Sequence, residues 1–424
     1  LPVVVFPSIE ASISLETVQN LIAGQTPSNL VVSESTLAAL NAQGISVSGR
    51  VVADDVLYNT LFRDRTLFTI LPFDRLEPRY RVLRVDEVHP LDMPDYPLAF
   101  ASDTPNFDPA RLTRITLSGV TALTRGTLRA LDANGIEWAA EAILPYVQTA
   151  DFFHTSNEVS IYENCPQFNN ETLGGNSSFC SRPEHFDLLT LLEVDIVELS
   201  GNHNNDFGYE VYRDTLAWYD EREIATVGGG ETLDEAYRPL DIAHNGNDVA
   251  MLACNWVGPY YALVNEDESL AGGVRPGAAD CSSPRFREAL TAVEADVVIV
   301  TVQYQEVDNV VPPESAAFDF RTLVDWGADV VVGTSSHFPQ PHDFYAPDSE
   351  RTAFIHYGLG NFLFDQTFFG GVRFFMDQLF IYDGALVAVD LFTGIIEGQG
   401  RPRPQTPPER ENFLFLMFNR YGQF

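Results

Sequence analysis

Between residues 112 and 333 the chain alternates short apolar runs with amphipathic stretches. Ile115–Val120, Val194–Leu199, Ile224–Val227, Ala295–Thr301 and Ala328–Gly333 are four to seven residues long and apolar with little alternation. That pattern predicts strands buried on both faces of a sheet. The segments between them carry helical periodicity: Thr124–Leu131, Trp138–Val147, Pro183–Leu192, Tyr209–Tyr219, Phe286–Val293 and Pro313–Trp326, the last stopped by Gly327. Helix alternating with apolar strand predicts an α/β fold with a parallel core. Pro239–Ala243 and Asp248–Cys254 predict a hairpin turning at Asn245-Gly246-Asn247. Later runs, Phe354–His356 and Val372–Val389, are richer in aromatic residues and are expected to be antiparallel. Arg401–Pro408 reads as a Pro-rich linker. A final helix, Glu409–Tyr421, is expected to bury Phe413, Leu414, Leu416, Met417 and Phe418, either against its own domain or against a neighbouring subunit.

The first hundred residues mix shorter elements. Val3–Phe6, Leu30–Val32, Leu67–Leu71 and Tyr80–Val85 read as strands, and helices are expected from Ser33 to Ala42 and from Ala53 to Phe62. Ser102–Pro109, rich in Asp, Thr, Pro and Asn, reads as a linker. A chain of 424 residues suits two domains rather than one. The expected division is an N-terminal α/β domain over 1–105, a main domain over 106–400, and the linker and apolar helix over 401–424. R-V-L-R-V-D-E-V-H-P-L-D and Y-P-L-A-F resemble the second half of phosphate-type periplasmic binding proteins, which implies solute capture. The other reading is a plain α/β appendage packed on the main domain.

Charge narrows the partners. The net charge is −35, and every one of the basic residues is Arg. A field of that sign repels nucleic acid and anionic membrane surfaces. No run of eighteen apolar residues exists, so no membrane span is expected. The four cysteines fall as two pairs, Cys165 with Cys180 and Cys254 with Cys281, without zinc-knuckle or thioredoxin-like spacing. Disulfides are therefore expected, and closing a loop of about fifteen residues is worth roughly 3 kcal/mol. Together with a first residue, Leu1, that is not Met, this points to an exported product with an extracellular or cell-surface address. Asn170 and Asn176 match glycosylation sequons.

Candidate chemistry collects where the apolar runs end. The run Val194–Leu199 stops at Ser200-Gly201 and continues N-H-N-N-D-F-G, and open α/β sheets keep their chemistry at the C-terminal ends of such strands. An Asn carbonyl can ligate a divalent ion while the following His protonates a leaving group. A polar turn with a helix-capping Asn explains the same residues without chemistry. Three further stretches join it: A-D-V-V-V-G-T-S-S-H-F-P-Q, I-H-Y-G-L-G-N-F-L-F-D-Q and T-V-G-G-G-E-T-L-D-E-A-Y-R-P.

In that order, over residues 113 to 410, these stretches resemble the capsule-synthesis, or CapA, family, linked to poly-γ-glutamate production. The resemblance implies a calcineurin-like metallophosphoesterase fold, a layered α/β/β/α domain, and the smaller N-terminal α/β domain read above would stand beside it. It also implies a metal site, from which this chain departs. The family's first strand ends in Gly-Asp, here Gly119-Val120. Ser156-Asn157-Glu158 keeps the carboxylate of the second motif, and Asn202-His203 with Asp206 keeps the third. The family's His-Trp-Gly becomes Gln303-Tyr304-Gln305, followed by Glu306, and Gly333-Thr334-Ser335-Ser336-His337 keeps only the last His of the fifth. Val ligates nothing, and Gln and Ser are weak replacements for His. The expected metal ligands are Glu158, Asn202 and His337, with His154 near them. The expected catalytic pair is His203 as general acid with Asp206. Such a site holds one weakly bound divalent ion (Mn, Fe or Zn) or none. Asn361, Asp365 and Gln366 are expected to buttress it or to cap turns, and His89, His185, His244 and His342 to be surface or packing residues.

The expected function is a cell-surface protein with a degenerate metallophosphoesterase site, serving capsule, poly-γ-glutamate or envelope organisation by binding. The candidate partners are an extracellular polymer and a second copy through the C-terminal helix. The alternatives are a structural or adhesive subunit of an extracellular assembly and an active metal-dependent hydrolase.

Overall fold

The computed structural model describes residues 1–100, 103–166, 178–348, 351–366 and 370–421. Both glycosylation sequons, Asn170 and Asn176, lie outside the described residues.

Two sheets face each other. The first has eight strands, with Ala225–Val227, Ile196–Glu198, Phe152–Asn157 and Leu112–Thr121 side by side and parallel. Antiparallel strands Arg373–Tyr382, Ala385–Glu397 and Arg401–Pro404 extend it, and Asn361–Leu363 pairs parallel to Leu112–Thr121. The second runs Leu240–His244, Asn247–Asn255, Val297–Gln303, Val330–Gly333, Ala353–His356 and His342–Tyr345. Its inner four strands are parallel.

Side-chain parity explains the unbroken apolar runs. Along Ile196–Glu198, Ile196 points between the sheets while Val197 points to the helices, so both neighbours are buried. Helices Arg125–Asn134, Pro183–Leu191 and Tyr209–Asp220 cover the outer face of the first sheet. Pro284–Thr291 and Glu314–Asp325 cover that of the second. The result is the expected α/β/β/α layering, and the hairpin turns at Asn245 and Gly246, both at positive φ.

Three expectations need correction. Ala353–His356 is antiparallel only to its edge neighbour, His342–Tyr345, and is parallel to Val330–Gly333. Arg401–Pro404 is no linker but the outermost strand of the first sheet, where Pro costs no ladder bond because the far side is unpaired. The C-terminal helix, Pro407–Leu416, opens on a Thr406/Glu409 capping box. It sends Phe413, Leu414, Met417 and Phe418 into the chain's own inter-sheet core, with Leu416 only half-buried.

Residues 1–100 build small sheets with helices Leu15–Ile22, Glu34–Ala42 and Leu57–Arg63. They dock on the main body through a shared core of Val3, Val5, Leu112, Phe380 and Tyr382, through Arg84 on Asp390 at 2.5 Å, and by inserting Phe6 between the large sheets. Both expected cysteine pairs are disulfide-bonded, with Cα atoms 5.8 Å apart for Cys165–Cys180 and 5.0 Å for Cys254–Cys281.

Candidate metal centre

Parallel strands release their C-terminal ends at the same edge, so loops from both sheets meet there. Glu158 follows Phe152–Asn157, and Asn202 and His203 follow Ile196–Glu198, all from the first sheet. Glu306 follows Val297–Gln303 and His337 follows Val330–Gly333, from the second. Gly201 permits the crossing, since a Cβ there would lie 2.7 Å from the Glu158 Cα.

The ends converge on one cluster. Ligand atoms of Glu158, Glu306 and His337 lie within 4.8 Å of one another. Asn202 Nδ2 donates to Glu306 Oε1 at 2.8 Å, and His337 Nε2 stands 3.5 Å from Glu306 Oε2. The other nitrogen of His337, Nδ1, donates to Asn361 Oδ1 at 2.7 Å, while the Asn361 amide bonds the carbonyls of His337, Gln366 and Gly371. That outer bond fixes the ring and leaves Nε2 facing the carboxylates.

His203 sits beside the cluster. Its Nδ1 donates to Asp206 Oδ2 at 2.6 Å, and Asp206 also accepts the Phe179 backbone N–H at 2.8 Å. Because the carboxylate can only accept, Nδ1 carries the proton and Nε2 is the reactive nitrogen. Asp206 is nearly buried at 4 % while His203 keeps 26 % of its side chain exposed.

Electrostatics follow from a buried carboxylate, Glu158, and a more exposed one, Glu306, standing beside two imidazoles. Burial raises the Glu158 carboxyl to about 7, with His337 opposing and Glu306 adding to the shift. Burial also disfavours a charged His337, but the Glu306 bond and the Glu158 charge outweigh it and hold the ring at about 9. His203 follows the same balance: burial lowers its pKa, Asp206 and the two glutamates raise it, and the net shift is upward.

The donor set suits one divalent ion. Glu158 Oε1 and Asn202 Oδ1 are buried oxygens without a hydrogen-bond partner among the described residues. Two carboxylates, an amide oxygen and an oriented imidazole make a mixed O/N shell of the kind Mn, Fe or Zn accepts. Among the described residues, the other positions where the resemblance leads one to expect ligands supply none. Val120 buries its side chain in the core on the helix side, and Ser335 and Ser336 spend their hydroxyls on the carbonyls of Tyr304 and Phe338.

The structure thus brings together all five expected residues, Glu158, Asn202, His203, Asp206 and His337. It adds Glu306, three residues beyond the buried strand Val297–Gln303, where the resemblance points to Gln303 instead. His154 is not among them. It lies deeper between the sheets, 3.6 Å from Glu198, in a fully buried polar layer with Ser156, Thr301, Gln303 and Thr334. Asp365 accepts from the Gly126 backbone and from Arg125, and Asn361 holds His337, so both buttress the site. Of the four packing histidines, His89 and His185 are buried.

Comparison with known proteins bears on this geometry. The family model described as "Bacterial capsule synthesis protein PGA_cap" matches residues 114–366, which carry every residue of the cluster. The capsule biosynthesis protein CapA of Bacillus anthracis is 23% identical over 317 residues, 72% of each chain. The PGA biosynthesis protein CapA of Bacillus subtilis is 30% identical over 186 residues, 43% of this chain and 46% of that one. Among solved structures, a 5'-nucleotidase from Candida albicans is similar at 12% identity and a TM-score of 0.36, covering 73% of this chain and 55% of that one.

Proposed function

Because the chain belongs to the bacterial capsule synthesis protein family, we propose that it serves capsular poly-γ-glutamate production outside the cytoplasm, through a site that holds one divalent cation beside a histidine proton donor. The observation that carries this reading is the meeting of Glu158, Glu306 and His337 within 4.8 Å, with the His203–Asp206 pair beside them. Two disulfides favour an oxidising compartment.

Glu158, Glu306, Asn202 Oδ1 and His337 Nε2 would hold the ion. When bound, such an ion polarises a carbonyl or phosphoryl oxygen and offsets the charge that develops on it. The chain's own groups supply the rest. Asp206 fixes the His203 ring with Nε2 outward and stabilises the imidazolium, and Nε2 gives its proton to a departing nitrogen or oxygen. Asn361 keeps His337 from rotating. The upward shift of His203 keeps that proton available near neutral pH. The reading is a single-cation hydrolase or acyl-transfer site, reduced from the family's fuller ligand set.

The test is metal analysis of the full chain with matched turnover on a poly-γ-glutamate oligomer. Close to one equivalent of Mn, Fe or Zn is expected, lost in Glu158→Gln and Glu306→Gln. His203→Ala is expected to keep the ion and lose turnover. A chain that takes up none of these ions in titration calorimetry refutes the reading.

A further inference from the structure

The mechanism above leaves unused a largely covered cation beside the site, Arg125. Arg125 opens the helix Arg125–Asn134 with φ +52°, a conformation that non-glycine residues avoid. Such a cost persists only where the surroundings impose it. Here the surroundings are specific. Arg125 Nη2 lies 2.8 Å from Asp365 Oδ1 and its Nε 3.2 Å from Asp365 Oδ2, while Gly126 donates its N–H to the same carboxylate at 2.7 Å. A Cβ at Gly126 would sit 2.7 Å from that carboxylate oxygen, so glycine is required for the approach.

Two aromatic rings hold the guanidinium. Its Cζ lies 5.1 Å from the Phe364 centroid and 5.4 Å from that of Phe179. Phe364 contacts His337 with ring centroids 5.2 Å apart, and Phe179 contacts His203 at 4.8 Å. Arg125 therefore stands one ring away from both site histidines. The side chain is 12 % exposed, and Nη1 has no hydrogen-bond partner among the described residues. A planar fork locked by a carboxylate on one edge and by rings on its faces presents its remaining edge in a fixed direction, the arrangement suited to grip a carboxylate.

We propose that Arg125 is a substrate-anchoring residue, binding a side carboxylate of a polyanionic chain whose reacting unit lies at the Glu158–Glu306–His337 cluster. This rests on the reading above that an anionic polymer occupies the site, and it adds a second point of attachment that fixes the register of the chain. In a protein of net charge −35, an Arg beside the site, even paired with Asp365, offers a carboxylate the N–H donors that the acidic surface does not.

The experiment measures binding of a poly-γ-glutamate oligomer of defined length to the full chain, and of the same oligomer with its side carboxylates amidated. Arg125→Gln is expected to weaken the acidic oligomer at least tenfold, to leave divalent-ion content unchanged, and to leave the amidated oligomer unaffected. Arg125→Lys is expected to fall between, since it keeps charge but loses the fork. If Arg125→Gln does not fold, Arg125→Gly replaces it, because glycine accepts the positive φ. Equal affinity of wild type and variant overturns the anchor while the cation site and its reading stand. A wild-type chain that holds its ion but ignores both oligomers overturns the anchor together with the polymer reading.

Discussion

Leu414 tests whether the C-terminal helix closes the chain's own core or belongs to a partner. Its side chain is fully buried in the inter-sheet core beside Phe413, Met417 and Phe418. Phe413 stacks on Phe375 of the first sheet, with ring centroids 4.7 Å apart. The next residue, Phe415, is 53 % exposed. Leu414→Ala removes three buried carbons and leaves a cavity between two sheets that cannot collapse easily, which costs about 3–4 kcal/mol. Phe415→Ala removes a larger side chain from solvent and should stay within about 0.5 kcal/mol of wild type. Urea unfolding reads the difference: at an m-value of about 3 kcal/mol/M, Leu414→Ala lowers the midpoint by roughly 1 M with m unchanged. Size-exclusion elution of both variants should match wild type. The reasoning fails if Phe415→Ala costs as much as Leu414→Ala, or if Leu414→Ala is neutral in urea but changes the elution volume.

Four further outcomes follow from the same structure. Burial holds His89 down at about 4, against 6.5 for a free imidazole. The unfolded chain therefore takes up a proton that the folded one refuses, and stability falls as pH drops from about 6.5 to 4, by up to about 3 kcal/mol. His89→Gln should flatten that part of the stability–pH curve. At Gly333 a Cβ would lie 2.1 Å from the Tyr357 carbonyl oxygen, so Gly333→Ala should cost about 3 kcal/mol in a thermal or urea melt. Cys165 and Cys180 close a fifteen-residue separation, and the double Ser variant should lose about 3 kcal/mol in a urea melt without reductant. Finally, if a polyanion is the ligand, a chain of −35 repels it at long range. Raising salt from about 10 to 150 mM shortens the screening length from about 30 to 8 Å, so stopped-flow association should accelerate, and a rate that falls with salt contradicts the assignment.

How much of this was legible depended on whether the signal was local. The buried strands Ile196–Glu198, Val297–Gln303 and Val330–Gly333 announce themselves because parallel strands covered on both faces leave no polar alternation to mislead. Asn245-Gly246 fixes its hairpin for an equally local reason, since both residues tolerate positive φ. Arg401–Pro404 was missed because Pro argues against a strand unless one edge is known to be free, and edge position is a property of the assembled sheet. Glu306 was adjacent to the expected motif but carried the wrong residue type for the position sought. Its role rests on Asn202, 104 residues before it, and His337, 31 residues after it, and no spacing rule reaches that far. Arg125 was invisible for the same reason: only folding brings Asp365, Phe179 and Phe364 around it.

The layer between the sheets shows why the site lies where it does. One part is apolar, with Ile115, Leu117, Ile196, Met251, Ile299 and Val330, and is sealed by Phe6 and by Phe413, Leu414, Met417 and Phe418. Toward the C-terminal strand ends the inward positions become His154, Ser156, Glu198, Thr301, Gln303 and Thr334, all buried. Thr334 donates to Glu198 across the gap at 2.9 Å, so the two sheets are tied by a polar contact there rather than by packing. Both nitrogens of His154 and both polar atoms of Gln303 lack a hydrogen-bond partner among the described residues, and each such group costs about 1–3 kcal/mol. A fold selected for stability alone would place Leu or Val at these positions. Keeping them polar holds the strand ends apart in a medium where charges interact strongly, which is what a cation site at their tips requires. The apolar segments from the two ends of the described chain then offset that cost, which ties the terminal elements to the chemistry without either touching it.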